Sequence, residues 1–209
     1  MGKLKILHRV LGMVSTNVYL AVNEETGEGF MVDPADKGDL LASWIKQEKV
    51  KLKGILLTHG HFDHIGGVLE LKKEFQVPVY VMEAENAVLN DSRLNLSANW
   101  GNAFTVKSDR LLGDGEILEL AGFTIQAFHT PGHTKGGACY YLPEEKTLFS
   151  GDTIFCESIG RTDLPTGNHG ELVRSVRAIL EKLPEDTTIY PGHEEATSVA
   201  HEKQYNPYV

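Results

Sequence analysis

Cysteine is scarce in this chain of 209 residues: Cys139 and Cys156 are the only two. One falls in a stretch that reads as a strand and the other in a loop after a strand. A disulfide framework is therefore not indicated, and a reducing cytoplasm is the expected compartment. No run of about 18 apolar residues occurs, which gives no membrane span. The first twenty residues hold no apolar segment long enough for a signal sequence. A basic surplus is also missing, with 20 Lys and Arg against 29 Asp and Glu and a formal net charge of -9. The charge argues against nucleic acid as a partner. No internal repeat and no linker rich in Pro, Gly or Ser interrupts the chain. One domain over 1–209 is expected, long enough to bury a core without staples, and nothing signals an obligate protein partner.

What is present is an alternation of strand-like and helix-like stretches. "LKILHRV", "NVYLAVN" and "GFMVDP" read as strands, with "TGE" as a turn between the last two. Leu40, Leu41, Trp44 and Ile45 recur at helical spacing. "KGILLTH" is a continuous apolar run, expected as a buried strand that ends at His59. Residues 64–75 read as one helix and 90–110 as a long polar surface loop, within which Trp100 and Phe104 either shape a cleft or pin the loop. Two strands around Gly122, a hairpin around Glu144, a helix over 169–182, a buried strand "TTIYPGH" and a short helix over 194–203 complete the pattern. The expected class is α/β.

Polar clusters follow the ends of apolar strands: His59 after "GILLT", His133 after "TIQAF", Asp152 after "TLFSG" and His193 after "TIYPG". Ligand-type residues gather at strand ends and in the loops beyond them, so four such ends suggest one shared rim. The densest cluster is "HGHFDH", which holds His59, His61, Asp63 and His64. In an extended stretch residues i and i+2 point the same way, so His59 and His61 can converge on one ion. Asp63 and His64 belong to the start of the next helix. With His133, Asp152 and His193 the candidate ligands number seven, too many for one tetrahedral ion with its four ligands. Two ions sharing a bridging carboxylate would use all of them. His8, His129, His169 and His201 have no spacing that sets them apart.

The blocks "THGHFDHIGG", "PGHTKGG", "FSGDTIF" and "YPGH" resemble, in order and spacing, the signature blocks of the metallo-β-lactamase fold superfamily. Within it the chain looks most like the single-domain glyoxalase II-like hydrolases. The resemblance implies a four-layered αββα sandwich with the metal site at the edge between two sheets. It implies that His59, His61 and His133 hold a first divalent ion, that Asp63, His64 and His193 hold a second, and that Asp152 bridges them. Zinc is the ion expected first, with iron and manganese as alternatives, since imidazole and carboxylate suit all three. Asp63 and Asp152 are the expected catalytic carboxylates. Thr58, Thr134 and Asp33 are candidates for orienting the histidines, or else turn and capping residues.

The implied reaction is hydrolysis of a small-molecule thioester such as S-D-lactoylglutathione. Arg161, in "GRTD", stands where such enzymes hold the glutathione moiety, although a structural pair with Asp163 is an equal reading. The chain stops at "EKQYNPYV" without the additional C-terminal helical region of full-length glyoxalase II, which leaves the thiol carrier open. The rival within the fold is a persulfide dioxygenase with one iron on His59, His133 and Asp152. A lactonase or β-lactamase also fits the ligands.

Overall fold

The computed structural model describes residues 4–209. The first half forms a six-stranded sheet: β1 (Leu4–Leu11), β2 (Thr16–Asn23), β3 (Glu28–Val32), β4 (Lys51–Leu56), β5 (Val79–Met82) and β6 (Arg110–Leu112), hydrogen-bonded in that order. The first three strands are antiparallel and the last four run parallel, so β3 belongs to both sets. Parallel neighbours need crossovers. Helix α1 (Gly38–Gln47) supplies one between β3 and β4, and α2 (Phe62–Ile65) with α3 (Val68–Phe75) supplies the next. A single turn, α4 (Asn86–Leu89), follows β5.

The second half repeats the theme. Strands β7 (Ile117–Leu120), β8 (Phe123–His129), β9 (Ala138–Leu142) and β10 (Thr147–Gly151) form an antiparallel run. A two-stranded ribbon, β11 (Ile154–Phe155) and β12 (Ser158–Ile159), leads to helix α5 (His169–Lys182). Strand β13 (Thr188–Pro191) then returns parallel to β10, and β14 (Thr197–Ser198) and α6 (Val199–Tyr205) close the chain. The second sheet is ordered β14-β13-β10-β9-β8-β7.

Three apolar layers join these elements. Tyr19, Phe30 and Leu56 of the first sheet meet Phe123, Tyr140 and Phe149 of the second. The opposite face of the first sheet, with Leu20, Met31 and Ile55, packs on Leu41, Ile45 and Leu71 of its helices. The outer face of the second sheet, with Tyr141, Leu148 and Ile189, packs on Leu172, Val176 and Leu180 of α5. The result is the helix–sheet–sheet–helix sandwich expected. Strand β2 is buried at every position because both of its faces are covered, which is why it reads as a run without alternation.

Two expectations change. The helix read over 64–75 is two helices, because the backbone N–H groups of Gly66 and Gly67 turn away to the carbonyls of Ala35 and Pro34, at 3.1 and 2.7 Å. The final helix begins at Val199 rather than 194, since Thr197 and Ser198 pair with β13 and the Ser198 hydroxyl caps it by accepting from His201 N. No helix among the described residues is long and apolar enough to cross a membrane.

Candidate metal centre

The strand ends converge at one edge of the sandwich. His59, His61, Asp63 and His64 follow β4, His133 follows β8, Asp152 follows β10 and His193 follows β13. Two glycines make the approach possible. Gly151 has φ +49°, and a Cβ there would stand 2.2 Å from Thr58 Oγ1. A Cβ on Gly192 would stand 2.2 Å from Asp152 Oδ1. Gly151 therefore needs both its left-handed backbone and its missing side chain, whereas Gly192 needs only the room.

All seven sequence-predicted ligands come together, in two groups. The ligand atoms of His59, His61 and His133 lie within 4.8 Å of one another, and so do those of Asp63, His64 and His193. Asp152 stands between them. Its Oδ2 is 3.5 Å from His133 Nε2 on one side and 3.5 Å from His193 Nε2 on the other, and its Oδ1 is 3.5 Å from His64 Nε2. Asp63 Oδ2 lies 3.4 Å from His64 Nε2 and 3.5 Å from His193 Nε2.

Hydrogen bonds behind the histidines fix which nitrogen faces inward. His64 Nδ1 donates to Asp33 Oδ2 at 2.9 Å, and His133 Nδ1 donates to the Arg161 carbonyl at 2.7 Å. The Thr58 hydroxyl donates to Asp33 Oδ2 at 2.5 Å, so its oxygen is left to accept from His59 Nδ1 at 3.2 Å. Each of these rings thus keeps a proton on Nδ1 and turns Nε2 inward, the usual arrangement behind metal-binding histidines. Asp33 and Thr58 are therefore orienting residues. Thr134 is not, because its hydroxyl donates to Glu85 Oε2 at 2.9 Å.

The donor set fits divalent ions. Nε2 of His59 and of His64 and Oδ1 of Asp152 are buried without a hydrogen-bond partner among the described residues, and such orphans are rare unless something else binds them. His61 Nδ1 faces His133 Nε2 at 2.9 Å, two ring nitrogens turned toward each other. The electrostatics of the groups differ. Burial, reinforced by the neighbouring histidines, lowers His59 well below its ordinary pKa and His61 to about 3. Burial also opposes charge on His64 and His193, yet the Asp63 and Asp152 carboxylates outweigh it and raise them to about 9 and about 11. Asp63 is pulled down to about 2 by His64 and His193 against its own burial.

Three residues that the sequence does not single out hold the site in place. Glu85 is fully buried and accepts from Gly60 N (2.8 Å), Gly136 N (2.9 Å) and the Thr134 hydroxyl, tying the loop between His59 and His61 to the loop after His133. Burial raises its carboxyl to about 7. The Thr16 hydroxyl donates to Asp63 Oδ2 at 3.0 Å. Asn17 Nδ2 donates to the carbonyls of Pro191 and Glu194, both at 2.9 Å, and so clamps the segment that carries His193. Arg161 lines the cleft, but its guanidinium donates twice to Asp163 at 2.7 Å.

A family model described as the metallo-beta-lactamase superfamily matches residues 11–193. The chain is 36% identical to the hydroxyacylglutathione hydrolase GloC of Haemophilus influenzae over 182 residues, 86% of each protein. Its structure superimposes on BLEG-1 B3 metallo-beta-lactamase with a TM-score of 0.92 at 39% identity, over 98% of this chain and 99% of that one. It superimposes on TTHA1623 in a di-iron-bound form with a TM-score of 0.85 at 32% identity, over 97% of this chain and 100% of that one.

Proposed function

Since the chain belongs to the metallo-beta-lactamase superfamily, we propose that it is a metal-dependent hydrolase of a thioester, with S-D-lactoylglutathione as the first substrate to test. The observation that carries the reading is the completeness of the second group. Asp63, His64 and His193 converge as closely as the three histidines beside them, with Asp152 in reach of both. His59, His61 and His133 would hold one ion, Asp63, His64 and His193 the other, and Asp152 would bridge.

When bound, two such ions supply a Lewis acid for the carbonyl oxygen and lower the pKa of water toward neutrality. The chain's own residues do the rest. Asp63, steadied by the Thr16 hydroxyl, presents a carboxylate oxygen at the cleft surface, where it can orient an attacking water. The ordering of His59, His64 and His133 through Thr58, Asp33 and the Arg161 carbonyl keeps the lone pairs aimed without reorganisation during turnover. Among the described residues, no Lys or Tyr lines the cleft around these candidate ligands. That suits a leaving thiolate, whose parent thiol has a pKa of about 8.5 and needs no strong proton donor. The likeness to GloC supports the thioester, and the di-iron form of TTHA1623 keeps iron beside zinc as a resident metal.

Two assays on one preparation test the reading. Hydrolysis of S-D-lactoylglutathione without oxygen uptake on glutathione persulfide is expected. Oxygen uptake without hydrolysis would replace it with a persulfide dioxygenase that uses His59, His133 and Asp152.

A further inference from the structure

Of the two aromatics in the segment between Asn90 and Arg110, only one serves the core. Phe104 packs against the first-sheet cluster, and its carbonyl accepts from Asn95 Nδ2 and Ser97 Oγ. Trp100 is 54% exposed. Its ring stacks on Phe62 with centroids 5.3 Å apart and planes 28° apart. Phe62 lies between His61 and Asp63, so this exposed tryptophan leans on the ligand run itself. A large exposed apolar surface is the informative exception in a folded protein.

The cleft has two arms that meet at the metal ligands. One, of about 410 Å³, is walled by Val14, Phe62, Leu96, Trp100 and Leu164 and floored by ligands of both groups together with Asp152. The other, of about 860 Å³, shares Val14, Asp152, Arg161 and His193 with the first; Val10, Phe155 and Ile159 line it together with six polar residues, among them Asn17, Glu194 and Glu195. A thioester has two unequal ends, an acyl group and a thiol carrier, with the reacting carbonyl between them. Beyond the candidate ligands and Arg161, the narrow arm offers one hydrogen-bonding side chain, Asn99, against apolar side walls, which suits a hydrocarbon chain. The wide arm is lined by apolar and hydrogen-bonding side chains together, which suits a polar carrier.

Resting on the thioester reading, we propose that the apolar arm binds the acyl chain and that Trp100 is its specificity-determining wall, so that the preferred substrates are apolar acyl thioesters longer than lactoyl. In the reaction the acyl carbon–sulfur bond breaks and a bond to the water oxygen forms. The sulfur leaves with the electron pair and takes up a proton, giving one carboxylic acid and one thiol per water consumed. A lactoyl group, which is shorter and brings a hydroxyl for which only Asn99 stands outside the candidate ligands and Arg161, fills less of these apolar walls and is the poorer occupant.

The test uses the metal-loaded full chain and a series of S-acyl glutathiones: acetyl, lactoyl, butanoyl and hexanoyl. In the wild type, kcat/KM should rise about threefold to fourfold per buried methylene until the arm is filled, from the transfer energy of a methylene. Lactoyl should fall below butanoyl. Trp100→Ala should flatten the rise and Trp100→Phe should retain part of it, both at wild-type metal content. Turnover of every thioester with no rise, or an unchanged rise in Trp100→Ala, would overturn the assignment of the arm and leave the thioester reading standing. If no thioester is cleaved, the thioester reading fails, and the matching non-cleavable S-alkyl glutathiones decide the arm. A shift in the emission of Trp100 that strengthens with chain length, and is absent from Trp100→Phe, supports the apolar arm, and no such shift overturns it.

Discussion

The two ligand groups sit side by side and prepare for a cation in opposite ways. The His59, His61 and His133 group is made of imidazoles alone, and burial with mutual repulsion keeps His59 and His61 neutral. The Asp63, His64 and His193 group is built around carboxylates, which hold protons on His64 and His193 up to about pH 9 and about pH 11. A metal entering the first group finds lone pairs on His59 and His61 already free. A metal entering the second must displace protons from His64 and His193. One short run of sequence thus supplies residues to two groups with different protonation, and Asp152 stands between them.

The strongest way to break the contrast is to remove what both groups share. Asp152→Ala should reduce hydrolysis to the rate without protein and weaken metal binding in both groups, read by activity and by chelator competition. His64→Ala comes next. It removes one ligand of the second group and leaves the first intact, so hydrolysis should collapse while a first-group ion stays bound. A dioxygenase working from His59, His133 and Asp152 would be spared.

The pH dependence sharpens the contrast without a mutation. At pH 7 His64 and His193 lie below their metal-free pKa values and are protonated. Each proton released on metal binding makes affinity rise about tenfold per pH unit. Binding in the second group should therefore strengthen steadily from pH 6 to pH 8, while His59 and His61, with no proton to lose, add no such slope in the first. Titration calorimetry in buffers of different ionisation enthalpy counts the protons directly. Asp33→Asn should act mainly on the second group through His64 Nδ1, weakening its metal about tenfold to a hundredfold, the usual range for an outer carboxylate. The smallest effect is expected at Glu85. Glu85→Gln turns an amide N–H₂ toward one or more of the donors of Gly60, Gly136 and Thr134, costing about 1–3 kcal/mol of stability by thermal melting. It should disturb the His59, His61 and His133 group more than its neighbour.

The seven candidate ligands could be picked out because they are local signals. His59, His61, Asp63 and His64 crowd into six residues, and His133, Asp152 and His193 each follow a glycine at the end of an apolar strand. The α/β class was legible from the alternation of strands and helices, and the sandwich from the resemblance that the four blocks carry. The supporting residues were not, because their roles exist only across long sequence distances. Thr16 reaches Asp63 across 47 positions, Asn17 reaches Pro191 across 174, and Glu85 stands among polar neighbours with nothing to mark it as the buried one. Arg161 was singled out for its side chain, but its carbonyl is what orients His133. The break between α2 and α3 was hidden because the partners of Gly66 and Gly67 lie about thirty residues earlier, in the turn after β3.

The division of "HGHFDH" between two ions is tested most directly by counting metal in the purified wild type and in His64→Ala, loaded under the same conditions. Two ions per chain, falling to one in the variant with the histidine-held ion retained, is the predicted result. One ion per chain in both proteins would contradict it.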